Sequence, residues 1–596
     1  MTSPGASSDP SHKASCVDDI VASFAFSSDD VRVTADYLLQ QLKSGLRDDR
    51  LPFQHPSFVT AIPDGSEKGR FLSVDLGGTN CRISLVDLHG DGTFSVEQQK
   101  HTVPHHVRVN ARHEPLFDWV ATQIGEFLRA RQALGPDATQ KEALSLGFTF
   151  SFTCTQTSLA AGTLLHWDKG WDIPSALGRD PCAMLQAATD AQRLPVRVAA
   201  LANDSVGSLL TRAYTSSGPG ATTLTCVIVG TGTNAAYVEK RQNVQRTVNH
   251  GADHRADHRA AQTGVVAMNT EWGCMDDGMR VLPRTRFDDM VDAQSTDGGL
   301  QMLEKRVSGM YLGELLRLAA VELYGKGVFD LRVPDADAPL FQKESIDASL
   351  LSGLASLEGD DDACMATAIQ LLASTLGAAG VSAADVCIFQ RLSTAIVTRA
   401  ARLIGAATGA IVLQSGLLST DGAILEEKRG EKQIMTIAVH GTATTVPTSA
   451  PKRSLSSIFG KARRILLAPF ALCFGRHLKA ETKPAVSLLQ PPSPSPSTSP
   501  SPSVLPSVLP SSLPMIDIGM TGSVIEFHPT FEKDMRVALR QVSGIGPAGD
   551  ARIRTGFCRD GSVVGAALMV HAAVKQESTA ETLGQRPRPV KHNASN

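Results

Sequence analysis

The chain lacks paired cysteines. Its ten are scattered without a C-x-x-C pair or any other metal-ligand spacing, so they read as reduced, mostly buried thiols, and no protein-held metal is expected. A charge bias is missing too: 57 Lys and Arg against 60 Asp and Glu leave a formal net charge of −3, without the basic excess that nucleic acid or an acidic membrane demands. There is no long hydrophobic run. The longest candidate, Ile465 to Phe474, is about half the length of a spanning helix and contains Pro469, so no stable membrane insertion is read. The stretch Met1 to Lys13 is polar and has none of the apolar region of a signal peptide. Neither G-x-x-x-x-G-K-[ST] nor D-F-G occurs, which removes P-loop and protein-kinase nucleotide sites. These absences leave a cytoplasmic chain suited to small-molecule chemistry. Its 596 residues, 42% hydrophobic and 20% charged, are enough for two or three lobes.

The spacing of Val31, Leu38, Leu39 and Leu42 predicts a helix capped by Ser28, then a Pro- and Gly-rich loop, with the compact fold beginning near Arg70. Phe71 to Leu76 and Arg82 to Leu88 read as two strands joined by Gly77-Gly78-Thr79-Asn80, a hairpin because no helix separates them. The same unit recurs from Leu224 to Glu239, with Gly230-Thr231-Gly232-Thr233-Asn234 as its turn. An internal repeat of this kind implies two similar α/β lobes. Helical patterns lie at Leu116 to Leu134, Ser205 to Tyr214, Leu312 to Tyr324 and Val397 to Ala407. From Ser419 this order breaks. Pro491 to Pro514 is a Pro/Ser run that reads as disordered. Lys452 to Lys479 mixes basic and aromatic residues; a bland insertion is the preferred reading and a membrane-surface or partner contact the alternative. The tandem Ala252 to Arg255 and Ala256 to Arg259 reads as a surface-loop duplication rather than a metal cluster.

The turn after Asp75-Leu76 is a candidate phosphate cradle. Gly77 and Gly78 let the backbone bend sharply and present N–H groups, and Thr79 and Asn80 add side-chain donors. Its near-copy at Gly230 to Asn234 would serve the other end of one triphosphate. For a proton acceptor the best candidate is Asp204: Val196 to Leu201 reads as a buried strand and Ser205 onward as a helix, so Asp204 lies at a strand's carboxyl end and a helix N-terminus. Position alone leaves open that Asn203 or Asp204 is merely a helix cap.

Further blocks carry a resemblance. Leu146-Gly147-Phe148-Thr149-Phe150-Ser151-Phe152, Leu165-His166-Trp167-Asp168-Lys169-Gly170, the Gly230 turn, Asn269-Thr270-Glu271-Trp272-Gly273 and Ser308-Gly309-Met310-Tyr311-Leu312-Gly313-Glu314-Leu315 follow one another in the order of the eukaryotic-type hexokinases and glucokinases. Similarity to that family covers about Phe53 to Leu418 and resumes from Met515 to about Ala573. It implies a bilobal actin-like ATPase (ribonuclease H-like) α/β fold and an ATP-dependent transfer of phosphate to the 6-hydroxyl of a hexose, glucose first, feeding glycolysis. On this resemblance residues 1–69 are a polar leader and N-terminal helix, 70–202 the small lobe and 203–418 the large lobe. The insertion is 419–514, completion of the lobes with the adenosine motif 515–575, and a disordered tail 576–596.

The resemblance also assigns roles. Asp204 matches the catalytic base, and Lys169 a residue that contacts sugar and stabilises the reacting centre. Asn203, Asn234, Glu271 and Glu304 match ligands of sugar hydroxyls, with Ser151 in the same pocket. For nucleotide the pattern points to Gly77, Gly78, Thr79, Asn80 and Arg82, to Gly230, Thr231, Gly232 and Thr233, to Gly309 and Met310, and to Gly519 through Gly522 and Ser523 with His528-Pro529 on the adenosine side. Mg²⁺ is expected to arrive with ATP, with Asp75 and Asp204 near it through water. Some positions depart from the family. Thr153 stands for a proline, Asp168 for a threonine beside Lys169, Thr521 for an aspartate, Val563 and Val564 for a glycine and a basic residue, and Ala293 for a glutamate. These departures keep an alternative in view, a weakly active or non-catalytic sugar sensor of the same family.

Overall fold

The computed structural model describes residues 10–131, 143–167, 170–216, 221–246, 264–357, 361–418 and 514–582, with side chains to residue 578. Asp168, Lys169, the tandem repeat at 252–259 and the 419–513 part of the insertion lie outside the described residues.

The chain enters through two packed helices. Cys16, Val17 and Ile20 of Pro10–Ser23 are buried, as are Val31, Ala35, Leu38 and Leu42 of Ser28–Gly45. Both helices pack on the helix Ala383–Ser415, so the compact fold begins near residue 10 and not near Arg70. The polar run up to Lys13 concealed the apolar stripe behind it. The cap of the second helix is Ser27, one residue before the expected Ser28. Ser27 Oγ accepts from Asp30 N (3.2 Å), and Asp30 Oδ2 accepts from Ser27 N (2.7 Å). Asp30 decides the position, because it stands three residues past Ser27 and its carboxylate can return the bond, whereas Val31 stands three past Ser28 and cannot.

After the short strand β1 (His55–Pro56), β2 (Lys68–Leu76), β3 (Asn80–His89), β4 (Phe94–Thr102) and β5 (Leu144–Phe150) follow. A separate hairpin of β6 (Thr153–Ser158) and β7 (Ala161–His166) precedes β8 (Val196–Ala202). The first sheet runs β4-β3-β2-β5-β8, with β2, β3 and β4 antiparallel and β5 and β8 parallel to β2. The second sheet is formed by β9 (Ala221–Val229), β10 (Thr233–Lys240), β11 (Val265–Asn269), β12 (Met515–Thr521) and β13 (Ile553–Phe557), in the order β1-β11-β10-β9-β12-β13. There β9, β10 and β11 are antiparallel, and β12 and β13 run parallel to β9. Setting β1 aside, both sheets share one plan: a three-stranded meander with two parallel strands beside its first strand. The repeat visible in the sequence was only the first hairpin of each.

Two helices join the sheets. Asp204–Thr215 packs on β9 and β10, Gly561–Thr582 covers β2, β5 and β8, and the two cross each other. A Cβ added at Gly565 would stand 2.1 Å from Gly207 Cα, so the crossing requires a residue without one. The second helix continues to Thr582, past residue 576 where a disordered tail was expected. Its apolar residues Val570 and Ala573 are buried, and beyond them Glu577 pairs with Arg197 of β8 at 2.8 Å. The 33-residue helix Ala383–Ser415 is long and apolar enough to cross a membrane, yet 83% of its apolar window is buried in protein, as befits a core helix. The borders of the 419–513 interval meet: Arg552 donates to the Leu417 carbonyl (2.9 Å) and to the Pro514 carbonyl (3.3 Å).

Candidate active site

Strand β8 ends at Ala202, and Asn203 then caps the helix Asp204–Thr215. Its Oδ1 accepts from Ser205 N (3.0 Å) and Val206 N (3.3 Å). The capping role therefore falls to Asn203, and Asp204 is the first helical residue, half-buried, with Oδ1 accepting from Ser205 N at 2.7 Å. Partial positive charge at the helix N-terminus favours its ionised form. Parallel pairing places β2, β5 and β8 with their carboxyl ends on one side (Leu76 beside Phe150, Thr149 beside Ala202), so Asp75, Ser151 and Asp204 rise from the same edge of the sheet. Ser151 N donates to the Leu76 carbonyl (3.2 Å), which ties that loop to the end of β2.

The second sheet brings its polar residues to meet this edge. Asn234 of β10 and Asn269 at the end of β11 both donate to Glu271 Oε1, at 3.2 and 2.7 Å. Glu271 N in turn donates to Asn234 Oδ1 (3.1 Å), with Glu271 held in the left-handed region at φ 46°. Ser205 Oγ lies 2.6 Å from Asn203 Oδ1 and 3.2 Å from Asn269 Oδ1, so the array runs without a break from the helix cap to Glu271. Glu304 Oε2 accepts from Thr233 N (2.9 Å) and rests against Gly232 and Gly273. Burial pushes the Cys274 thiol well up, and the negative charges of Glu271, Asp277 and Glu304 push it further, which places both glutamates around one spot. Asn203, Asp204, Asn234, Glu271 and Glu304 are thus gathered by four separate segments. Asn269 and Ser205 complete the array, although sequence reasoning gave them no role. The signal was available, since Asn269 opens the block that contains Glu271.

The two glycine turns are built differently. At the first, Gly77 N donates to the Asn80 carbonyl (3.0 Å), Asn80 Nδ2 donates to Thr79 Oγ1 (2.9 Å), and the Gly78 carbonyl accepts from the Trp171 indole N–H at 2.6 Å. Asp75 Oδ2 just before it accepts from Ser562 Oγ (3.0 Å), and Arg82 approaches the same oxygen at 3.5 Å. At the second, the Gly230 carbonyl accepts from Gly309 N (2.7 Å), and the Thr231 carbonyl from Met310 N (3.2 Å). A Cβ at Gly522 (φ 111°) would lie 2.5 Å from the Val229 carbonyl, so Gly522 and Ser523 back directly onto this turn. The residues expected to hold nucleotide at Gly230–Thr233, Gly309–Met310 and Gly522–Ser523 therefore form one contiguous backbone surface. His528 close by is buried, with its ring driven down to about 4 by desolvation; it is neutral at pH 7.

Two family models, each described as Hexokinase, match residues 16–214 and residues 224–453 with 506–572. The chain belongs to the hexokinase family. It is 34% identical to a glucokinase of Aspergillus niger over 94% of this chain and 97% of that protein. Against hexokinase-1 of Saccharomyces cerevisiae it is 33% identical, over 69% of this chain and 82% of the relative. A hexokinase from Schistosoma mansoni solved in complex with glucose superposes with a TM-score of 0.66 at 24% identity, covering 95% of this chain and all of the other, which shows the shared fold. The bilobal actin-like architecture read from the sequence is the hexokinase fold. The family match starting at residue 16 agrees with the buried N-terminal helices and extends the likeness well ahead of Phe53.

Two of the departures from the hexokinase pattern, at Val563-Val564 and at Thr521, have local explanations. Val563 and Val564 are buried against the helix Asp204–Thr215, so they fill the core between the lobes. Thr521 Oγ1 and Gly522 N both donate to Glu526 Oε1, at 3.1 and 2.8 Å, so Glu526 supplies the carboxylate at this turn. Asp292, next to Ala293, accepts from the buried Lys305 (2.7 Å), the neighbour of Glu304. Thr153 begins β6 and pairs with His166.

Proposed function

We propose that this chain is an ATP-dependent hexose 6-phosphotransferase acting on glucose. The observation that carries the reading is the junction of β8 with its helix. Asn203 does the capping and Asp204 opens the helix as a half-buried carboxylate, beside an unbroken array of amide and carboxylate groups that suits the hydroxyls of a sugar. Recognition by such groups is selective, because a sugar missing one hydroxyl leaves a buried partner unpaired.

In this reading the 6-hydroxyl gives its proton to Asp204 as its oxygen bonds to the γ-phosphorus. The bond from that phosphorus to the β,γ-bridging oxygen breaks, and ADP departs. Lys169 contacts the sugar and offsets charge at the reacting phosphoryl group. The backbone N–H groups of the two glycine turns hold the phosphates, and Mg²⁺ comes with ATP as part of the substrate, with Asp75 beside it. Phosphoryl transfer of this kind asks the protein mainly for positioning and charge neutralisation. The compartment fits the cytoplasm, since buried Cys16, Cys81, Cys182, Cys226, Cys274 and Cys558 are all free thiols.

A coupled ADP-release assay with MgATP and glucose, fructose or mannose in turn tests the proposal. Sugar-dependent ADP release with glucose as a good substrate is the expected result. ADP release that ignores sugar, or none with any of the three, would overturn it.

A further inference from the structure

The Trp167-Trp171 pair has no part in the reading above, although it stands beside the first glycine turn. The two indoles stack with centroids 5.5 Å apart at 14°, both are buried, and Phe152 packs on each. Their N–H groups go to different places. Trp167 Nε1 donates to Ile173, within its own loop, at 2.9 Å. Trp171 Nε1 crosses to the Gly78 carbonyl at 2.6 Å.

That carbonyl belongs to the peptide between Gly78 and Thr79. In a planar trans peptide the C=O and N–H point in opposite directions, so holding the carbonyl toward Trp171 turns the Thr79 N–H away from it. Thr79 is exposed, and among the described residues no acceptor takes that N–H. Gly78 offers little steric resistance to rotation on its side of this peptide, so the indole bond adds to the resistance that Thr79 supplies on the other side and holds the carbonyl in place. We propose that Trp171 is a positioning residue for nucleotide. It fixes the Gly78–Thr79 peptide so that the Thr79 N–H is presented to a phosphate oxygen of ATP. The inference rests on the reading of Gly77–Asn80 as the phosphate turn.

The test is Trp171→Phe, which keeps an aromatic ring in the stack and removes the donor, with Trp167→Phe as the control that loses an indole N–H elsewhere. The readouts are steady-state kinetics with glucose and MgATP, and direct titration of a non-hydrolysable ATP analogue onto the full chain with glucose present. For one lost orienting bond, Trp171→Phe is expected to raise KM for ATP and weaken analogue binding by about five- to tenfold. KM for glucose should stay within about twofold, and Trp167→Phe should leave nucleotide binding within about twofold. Equal nucleotide affinity in Trp171→Phe and the parent overturns the proposal, as does an equal loss in both variants or an equal loss for glucose. Should Trp171→Phe fail to fold, β-(3-benzothienyl)alanine at 171 preserves the ring shape without the N–H and decides the point on the same criteria. A parent chain that phosphorylates no sugar but binds the analogue removes the proposed function and leaves this test standing. A parent that binds no nucleotide overturns both.

Discussion

Replacing Asp204 by alanine separates two roles that sit one residue apart. The hydrogen bonds that close the helix N-terminus come from Asn203 Oδ1 to Ser205 N and Val206 N, and the substitution leaves them in place. What the fold loses is the bond that Asp204 Oδ1 accepts from Ser205 N, together with one carboxylate near the positive end of a helix dipole, the latter worth about 0.3–1 kcal/mol. On the proposed role of Asp204 the reaction loses its proton acceptor, which typically lowers the rate by about 10²–10⁴, or about 2.7–5.5 kcal/mol on the barrier. Asn203→Ala should show the opposite balance in the fold, costing about 0.5–2 kcal/mol of stability through loss of the cap. The assays are ADP release with saturating glucose and MgATP, urea unfolding of both variants, and calorimetric titration of glucose. Asp204→Ala is expected to unfold within about 1 kcal/mol of the parent and to bind glucose measurably, with turnover reduced at least about a hundredfold. Turnover within about threefold of the parent would refute the assignment of Asp204 as the base.

Deleting Ser419 to Ser512 and joining the ends with a short flexible linker should keep the fold and most of the activity, because both borders already meet at the Arg552 guanidinium; only aggregated protein from several linkers would show that the interval belongs to the core. Asp288→Asn should cost about 3–5 kcal/mol in urea unfolding, since Asp288 pairs with Arg399 at 2.8 Å, with both side chains almost fully buried, and the substitution strands the arginine charge. Burial alone would raise the Asp288 carboxyl, but Arg399 and Arg306 more than offset this and hold it below the usual range. Its stabilising contribution is therefore complete above the ordinary carboxylate pKa near 4 and falls away as pH drops through the lowered value, so the acid-side loss of stability should be shallower in Asp288→Asn. Gly565→Ala places a methyl group 2.1 Å from Gly207 Cα and should lower stability by about 1–3 kcal/mol or more, with an unchanged unfolding midpoint counting against the helix crossing described. Asp168→Thr removes a carboxylate adjacent in sequence to Lys169 and is expected to raise kcat/KM for glucose, by up to about a hundredfold if that charge opposes the incoming phosphates.

What the sequence by itself determined was whatever depends on near neighbours. Short, mainly apolar runs on either side of Gly77–Asn80 and Gly230–Asn234, with no helix between them, specify two hairpins, and β2–β3 and β9–β10 form there. The ordered blocks from Leu146 to Leu315 specify the family, and the run from Val196 into Ser205 puts Asp204 where a strand meets a helix. Tertiary structure decided what depends on partners far along the chain. Strand β12 lies beside β9 although nearly three hundred residues separate them, because inter-strand hydrogen bonds and core packing choose partners without regard to sequence distance. The same is true of the N-terminal helices, whose apolar stripe gains meaning only against the helix Ala383–Ser415. Three site details also needed the fold: that Asn203 is the cap and Asp204 is not, that Asn269 joins Asn234 and Glu271, and that Trp171 and Ser562 reach the first turn and Asp75. The cap is settled within three residues, by which of two neighbouring side chains turns back to the helix, but the other two details rest on donors and acceptors brought within 3 Å or so by packing of separate segments, and no local periodicity encodes that distance.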